Sequence, residues 1–232
     1  MPFLYIDEYY ILFVLPALIF ALICQARVNS VFKKYSQVGT SRGLDGARAA
    51  YEVLRYSDVR GVQIERVSGN LTDHFDPRTN VVRLSDSVYS AKTLAAVGVA
   101  AHESGHAAQY AEGYFPMKLR AAIIPATRIG SQLAVPLILL GILFSFPPLW
   151  SVGIICFGLS TFFQLVTLPV EFNASRRALA TLRDSNMLDE EELRGAKKVL
   201  SAAAMTYVAA LAVSLMQLLR LMAIVSRSQR RR

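Results

Sequence analysis

Four apolar runs, each near the length a bilayer requires, constrain this chain more than any other feature. A membrane-crossing helix needs about 20 mostly apolar residues. The runs from about Tyr9 to Cys24 (extensible to Ala26), Ile129 to Phe146, Leu149 to Val170 and Val199 to Leu219 meet or approach that length. In 232 residues there is room for one domain or two beside them. The charged share of 18% lies below the roughly 25% usual for soluble domains. The sequence therefore predicts a mainly α integral membrane protein with about four transmembrane helices, resident in the cell membrane as a multi-pass chain.

The formal charge of +8, from 25 Lys and Arg against 17 Asp and Glu, could suggest nucleic acid. The basic residues are instead spread between apolar runs, with no aromatic-basic motif, so no nucleic-acid partner is expected. Their natural partner is the anionic surface of a lipid bilayer. Cys24 and Cys156 both fall within apolar runs and read as small buried hydrophobes.

Asp7 and Glu8 precede the first run, whereas Arg27, Lys33 and Lys34 follow it. A signal peptide carries its positive charges ahead of its apolar core, so this run reads as an uncleaved anchor with its N-terminus outside. The second and third runs form a hairpin with an uncharged join at Phe146-Pro147-Pro148-Leu149. Polar residues 25–132 hold 14 Lys and Arg and residues 171–198 hold six more, which places both on the cytoplasmic side. The basic tail Arg227–Arg232 runs against that rule if the fourth run crosses, and the sequence leaves its side open. The resulting division is 1–26 (anchor), 27–128 (cytoplasmic catalytic region), 129–170 (hairpin), 171–198 (cytoplasmic third-ligand helix) and 199–232 (apolar helix and basic tail).

Within 27–128, Leu44 to Arg55 has helical periodicity, while Val62 to Val67 and Asn80 to Leu84 alternate like short strands. Asn70 to Thr79 reads as a loop or edge strand. A helix is predicted from about Ala91 to Ala111, capped by Ser90 and ended by Gly113 and Pro116.

That helix carries His102-Glu103-Ser104-Gly105-His106. Positions i and i+4 share a helix face, so His102 and His106 can bind one zinc ion together. Glu103 beside them can act as general base toward a metal-activated water, and Gly105 and Ala107 leave space around the metal. The preceding residues, Thr93 to Ala101, are almost wholly apolar, so the helix is buried and its polar groups need partners. A catalytic zinc typically has three protein ligands and one open position. His74 could be the third. Glu171 is the better candidate, because a carboxylate directly after an apolar run is costly unless paired or metal-bound. The bland alternative for Glu171 is an acid at a helix N-terminus.

Four segments carry a resemblance: Leu71-Thr72-Asp73-His74-Phe75-Asp76-Pro77, Val81-Val82-Arg83-Leu84-Ser85, Ala100 to Ala107 around the histidines, and Leu168-Pro169-Val170-Glu171-Phe172-Asn173-Ala174-Ser175-Arg176-Arg177. Together they resemble the YugP-like bacterial membrane zinc metallopeptidases, and more distantly the membrane gluzincins of the HtpX and prenyl-protein protease kind. The resemblance implies a zincin-like α+β catalytic domain, one zinc ion per chain held by His102, His106 and Glu171, and Glu103 as base. Gluzincins often place an aspartate four residues after the third ligand to orient a histidine. Ser175 stands there instead, so Asn173 or Ser175 must supply that support.

His74 reads either as a donor to the oxyanion of the tetrahedral intermediate or as a loop histidine bonded to Asp73 or Asp76. Arg176 and Arg177 face lipid or pair with the acidic run Asp189 to Glu192. The function expected is a membrane-embedded zinc metalloendopeptidase facing the cytoplasm, cleaving a polypeptide that lies along an edge strand near Val81 to Leu84. The alternative is a zinc-binding membrane scaffold or adaptor without turnover. A homo-oligomer or a membrane partner protein is compatible with either.

Overall fold

The computed structural model describes residues 7–230, with side chains to Arg227. The chain is mainly helical, and among the described residues four helices are long and apolar enough to cross a membrane. The first such stretch, Tyr10–Tyr35, opens with a π-helical turn and continues as α1 (Leu15–Tyr35). The others are α4 (Phe115–Leu143), α5 (Pro147–Asp184) and α6 (Glu190–Arg230). Between them lie α2 (Gly46–Tyr56), β1 (Gln63–Val67), β2 (His74–Asp76), β3 (Val81–Ser85) and α3 (Leu94–Ala111).

The helices outrun their apolar cores. α1 extends beyond Ala26 because Val31, Phe32 and Tyr35 continue its apolar face and pack in a core with Leu44, Val53, Leu94 and Leu182. Residues 171–198, expected as one helix, are instead the end of α5, a turn, and the start of α6. In that turn Asp189 accepts from the amides of Glu191 and Glu192, which starts the new helix.

The chain divides into two compact units. One comprises residues up to Cys24, Leu119–Leu168 and the stretch from Thr206. Here α4 and α5 pack against each other as a helical hairpin. The turn lies at Phe144 to Phe146, and Pro147 opens α5, where its missing N–H is no loss. A Cβ on Gly141 would sit 2.6 Å from the Trp150 amide nitrogen, so glycine allows the close approach. Trp150 packs fully buried with Ile138, Leu221 and Val225. The α6 end carrying Arg220 and Arg227 meets the start of the first helix. Arg220 pairs with Asp7 at 2.6 Å and lies over the Tyr10 ring, while Arg227 pairs with Glu8. The acids before the first run and the first bases after the fourth therefore neutralise each other.

The other unit is Gln25–Lys118 with Pro169–Met205. Its sheet has the order β1-β3-β2, with β1 parallel and β2 antiparallel to β3. This corrects the expected edge strand: Val81 to Leu84 is the centre of the sheet, hydrogen-bonded on both sides, and β2 is an edge. The burial of β3 fits a central strand, since Val81, Val82, Leu84 and Ser85 are all buried. Asp76 closes the β2–β3 turn by accepting from Thr79, the Arg78 amide and Arg83, which lower its pKa to about 2. Helix α3 is capped by Thr93, which accepts from the Ala96 amide, and not by Ser90. Residues before Thr93 turn against Val38 and Thr40, so the first helical residue is later than apolar periodicity alone suggests.

Candidate metal centre

Two apolar clusters bury the centre of α3. Ala96, Ala100 and Ala107 face Phe75, Val82 and Leu84 of the sheet, and Ala95 and Ala101 face the α5 and α6 side chains Ala178, Leu182 and Val199. Ser104, fully buried, donates to its own helix at the Ala100 carbonyl. The polar residues on this helix therefore have few directions in which to find partners, and His102, His106 and Gln109 find theirs in part on α5.

The approach of α5 depends on Gly105. A Cβ there would lie 2.7 Å from the Ala174 carbonyl oxygen, well inside van der Waals contact. Gly105 was expected to clear space for a metal; it clears space for a backbone. Ala107 likewise packs in the core and does not line a metal cavity.

This contact brings Glu171 to the histidine pair. His102 Nε2 lies 3.2 Å and His106 Nε2 3.4 Å from the same carboxylate oxygen of Glu171, 69 residues from His102 in the chain. One ligand atom from each of the three residues falls within 4.8 Å of the others. Glu171 is 2% exposed.

The remaining ring nitrogens are held from behind. His102 Nδ1 lies 3.1 Å from Ser175 Oγ, so the serine stands where support was needed. His106 Nδ1 lies 3.0 Å from Gln109 Oε1. Gln109 is fully buried, and its amide nitrogen donates to the Val170 carbonyl at 2.8 Å and to Asn173 Oδ1 at 2.9 Å. A carbonyl can only accept, so the orientation of the Gln109 amide is fixed. Its oxygen can only accept too, so His106 Nδ1 must carry a proton. In neutral His106, Nε2 then presents a lone pair to a carboxylate oxygen. Two acceptors facing each other repel unless a cation offsets them, and the donor set fits a divalent metal with nitrogen and oxygen preference, zinc foremost. Without a metal, a proton is the alternative cation. Burial alone would favour neutral His106, but the hydrogen bond to Glu171 and the charges of Glu103 and Glu171 outweigh it and raise its pKa above the ordinary histidine value.

Glu103 stands apart from this trio. Its carboxylate accepts from the Phe75 amide of β2 at 3.1 Å. His74, next to Phe75, is outside the metal-ligand group. Its Nδ1 contacts the Thr72 carbonyl at 2.8 Å, not Asp73 or Asp76. Asp73 accepts from the backbone and hydroxyl of Ser85; burial pushes its pKa up, the two Ser85 bonds pull against that, and the nearby Glu103 charge adds to the rise. Arg177 donates to Asn173 and pairs with Glu112 at 2.6 Å, instead of with the acidic run at 189–192.

Sequence reasoning missed Gln109. The signal was available: a polar residue at i+3 from His106, on a helix already inferred to be buried, has to be bonded to something.

No solved structure matches this chain. A curated relative, "Putative membrane protease YugP" of Bacillus subtilis (strain 168), is 47% identical over 196 residues, covering 84% of this chain and 87% of the relative. The family model described as "Putative neutral zinc metallopeptidase" matches residues 10–226, a span that takes in α3, the sheet and Glu171. On that match, and on the identity to its relative, the chain belongs to this zinc metallopeptidase family.

Proposed function

We propose that the chain is a membrane-embedded zinc metalloendopeptidase whose active site comprises His102, His106, Glu171 and Glu103. The observation that carries this reading is the donor set itself: three ligand atoms within 4.8 Å, one of them on a histidine whose tautomer is fixed for binding. His102, His106 and Glu171 would hold one zinc ion. Bound zinc supplies Lewis acidity, polarising the scissile carbonyl and acidifying a water toward a pKa of about 7.

The protein's own groups do the rest. Ser175 and Gln109 keep the Nε2 atoms of the two histidines free to bind. Glu103 takes a proton from the attacking water and passes it to the leaving amine. Its resting partner, the Phe75 amide, belongs to an edge strand, so an extended polypeptide paired with β2 would lie beside this carboxylate. The Phe75 bond also favours a second reading, in which Glu103 only ties α3 to the sheet of a zinc-holding scaffold. Metal analysis with peptide-library cleavage by the purified protein separates the two: stoichiometric zinc without cleavage of any peptide would favour the scaffold.

Gln109→Leu should weaken zinc binding by about 10- to 100-fold, as for other groups that orient metal ligands. Competition against a chelator measures this, and unchanged affinity would reduce Gln109 to a space-filling role. His74→Ala should keep its zinc while turnover falls by about 10²-fold, the usual effect of losing an oxyanion donor. Zinc content falling in step with activity would instead make His74 a ligand.

We place the site on the cytoplasmic side, on the charge of residues 25–132 and 171–198. Single cysteines at Ser57 and Ser185, in a background lacking Cys24 and Cys156, should resist an impermeant thiol reagent on intact cells. Ready labelling at either position would invert the topology.

A further inference from the structure

The unit that contains the metal centre also holds a groove between α5 and α6 that the centre does not account for. It encloses about 570 Å³ along residues 172–183 of α5 and 193–205 of α6. Its two ends differ chemically. Toward Phe172 and Met205, where each helix runs into its long apolar stretch, the wall is Phe172, Leu200, Ala204 and Met205. Away from those stretches stand Arg183 and Lys197, beside Leu179, Ala180 and Leu193, with Arg176 between the two ends. No aspartate or glutamate is among the lining residues. Arg183 shares its charge with Asp184 at 2.9 Å, which leaves Arg176 and Lys197, both exposed, as the principal positive charges.

The gradient matches an amphiphile lying parallel to the helices, tail toward the apolar stretches and anionic head away from them. A polypeptide fits less well. Both walls are helices whose backbone groups are bonded internally, so they offer no ladder to the N–H and C=O groups of an extended chain. Cationic clefts between helices that leave a membrane suit anionic headgroups, and each Lys or Arg near such a surface adds to the attraction.

We propose that this groove binds one anionic phospholipid, its phosphate between Arg176 and Lys197 and an acyl chain along Phe172, Leu200 and Met205. The site shares Ser175 with the metal centre, so the bound lipid lies against the residue whose hydroxyl touches His102.

The test is native mass spectrometry of the full chain in neutral detergent with equal phosphatidylglycerol and phosphatidylcholine. The unmodified protein should retain phosphatidylglycerol preferentially. Arg176→Gln with Lys197→Gln should retain roughly tenfold less. Arg176→Lys with Lys197→Arg should retain it, as should Lys33→Gln with Lys34→Gln on α1. A photoreactive phosphatidylglycerol on the unmodified protein should label peptides within 172–205, a readout that stands even if the glutamine variant fails to fold. Equal retention by the glutamine variant, no preference over phosphatidylcholine, or labelling elsewhere would each overturn the proposal. So would displacement of the lipid by a hydrophobic peptide that cross-links in the groove, which would make it a polypeptide site.

Discussion

Glu103→Gln should lower peptide cleavage by about 10²- to 10⁴-fold, the range typical of a lost general acid–base group. The loss could exceed that range, since the same carboxylate also serves the leaving amine. Zinc content and melting temperature should stay close to those of the unmodified protein. The structure makes this variant a clean one. Glutamine keeps the side-chain length, and its amide oxygen can still accept from the Phe75 N–H, so the tie between α3 and β2 survives. Only the ability to take and return a proton is removed. Proteolysis within a few-fold of normal would rule out the zincin mechanism and leave Glu103 as a structural bond alone.

Glu171→Ala should have a second large effect, of a different kind. Its carboxylate oxygen lies 3.2 and 3.4 Å from the two Nε2 atoms, so it completes the donor set and does not merely adjoin it. Its loss should weaken zinc binding by more than the about 10- to 100-fold expected of an outer group such as Gln109. The protein should purify with clearly less zinc than Glu103→Gln and be equally inactive. A comparison with Glu171→Gln controls for the volume lost at a buried position. Full zinc occupancy with normal activity in Glu171→Ala would remove this residue from the centre and return attention to His74.

The sequence made the histidine pair legible because helical spacing alone puts His102 and His106 on one face. Glu171 was legible for two other reasons: an acid directly after an apolar run is costly, and its flanking residues resemble those of a family. Ser175 was legible only as one of two candidates, beside Asn173, for the support of a ligand histidine. A serine can accept from an imidazole as an aspartate does, with less charge, and its hydroxyl stands 3.1 Å from His102. The strand order was not legible from alternation, which sets the faces of a strand but not its neighbours. The run Val81-Val82-Arg83-Leu84-Ser85 nonetheless held a clue, because near-continuous burial belongs to a central strand. The partner of Arg177 was missed because opposite charge was matched along the sequence, whereas Glu112 follows α3 and meets α5 only after the hairpin has closed.

The contact of Gly105 with Ala174 has a consequence for biosynthesis. A chain emerging from the ribosome makes α3, with both histidines and Glu103, well before it makes α5. Until residues 170–175 arrive and dock against Gly105, His106 lacks the Gln109–Val170 latch, His102 lacks Ser175, and neither has Glu171. The histidine pair is made early and completed late. A nascent chain stalled in the hairpin carries the whole histidine motif without the carboxylate and the two supporting bonds that complete the candidate metal centre.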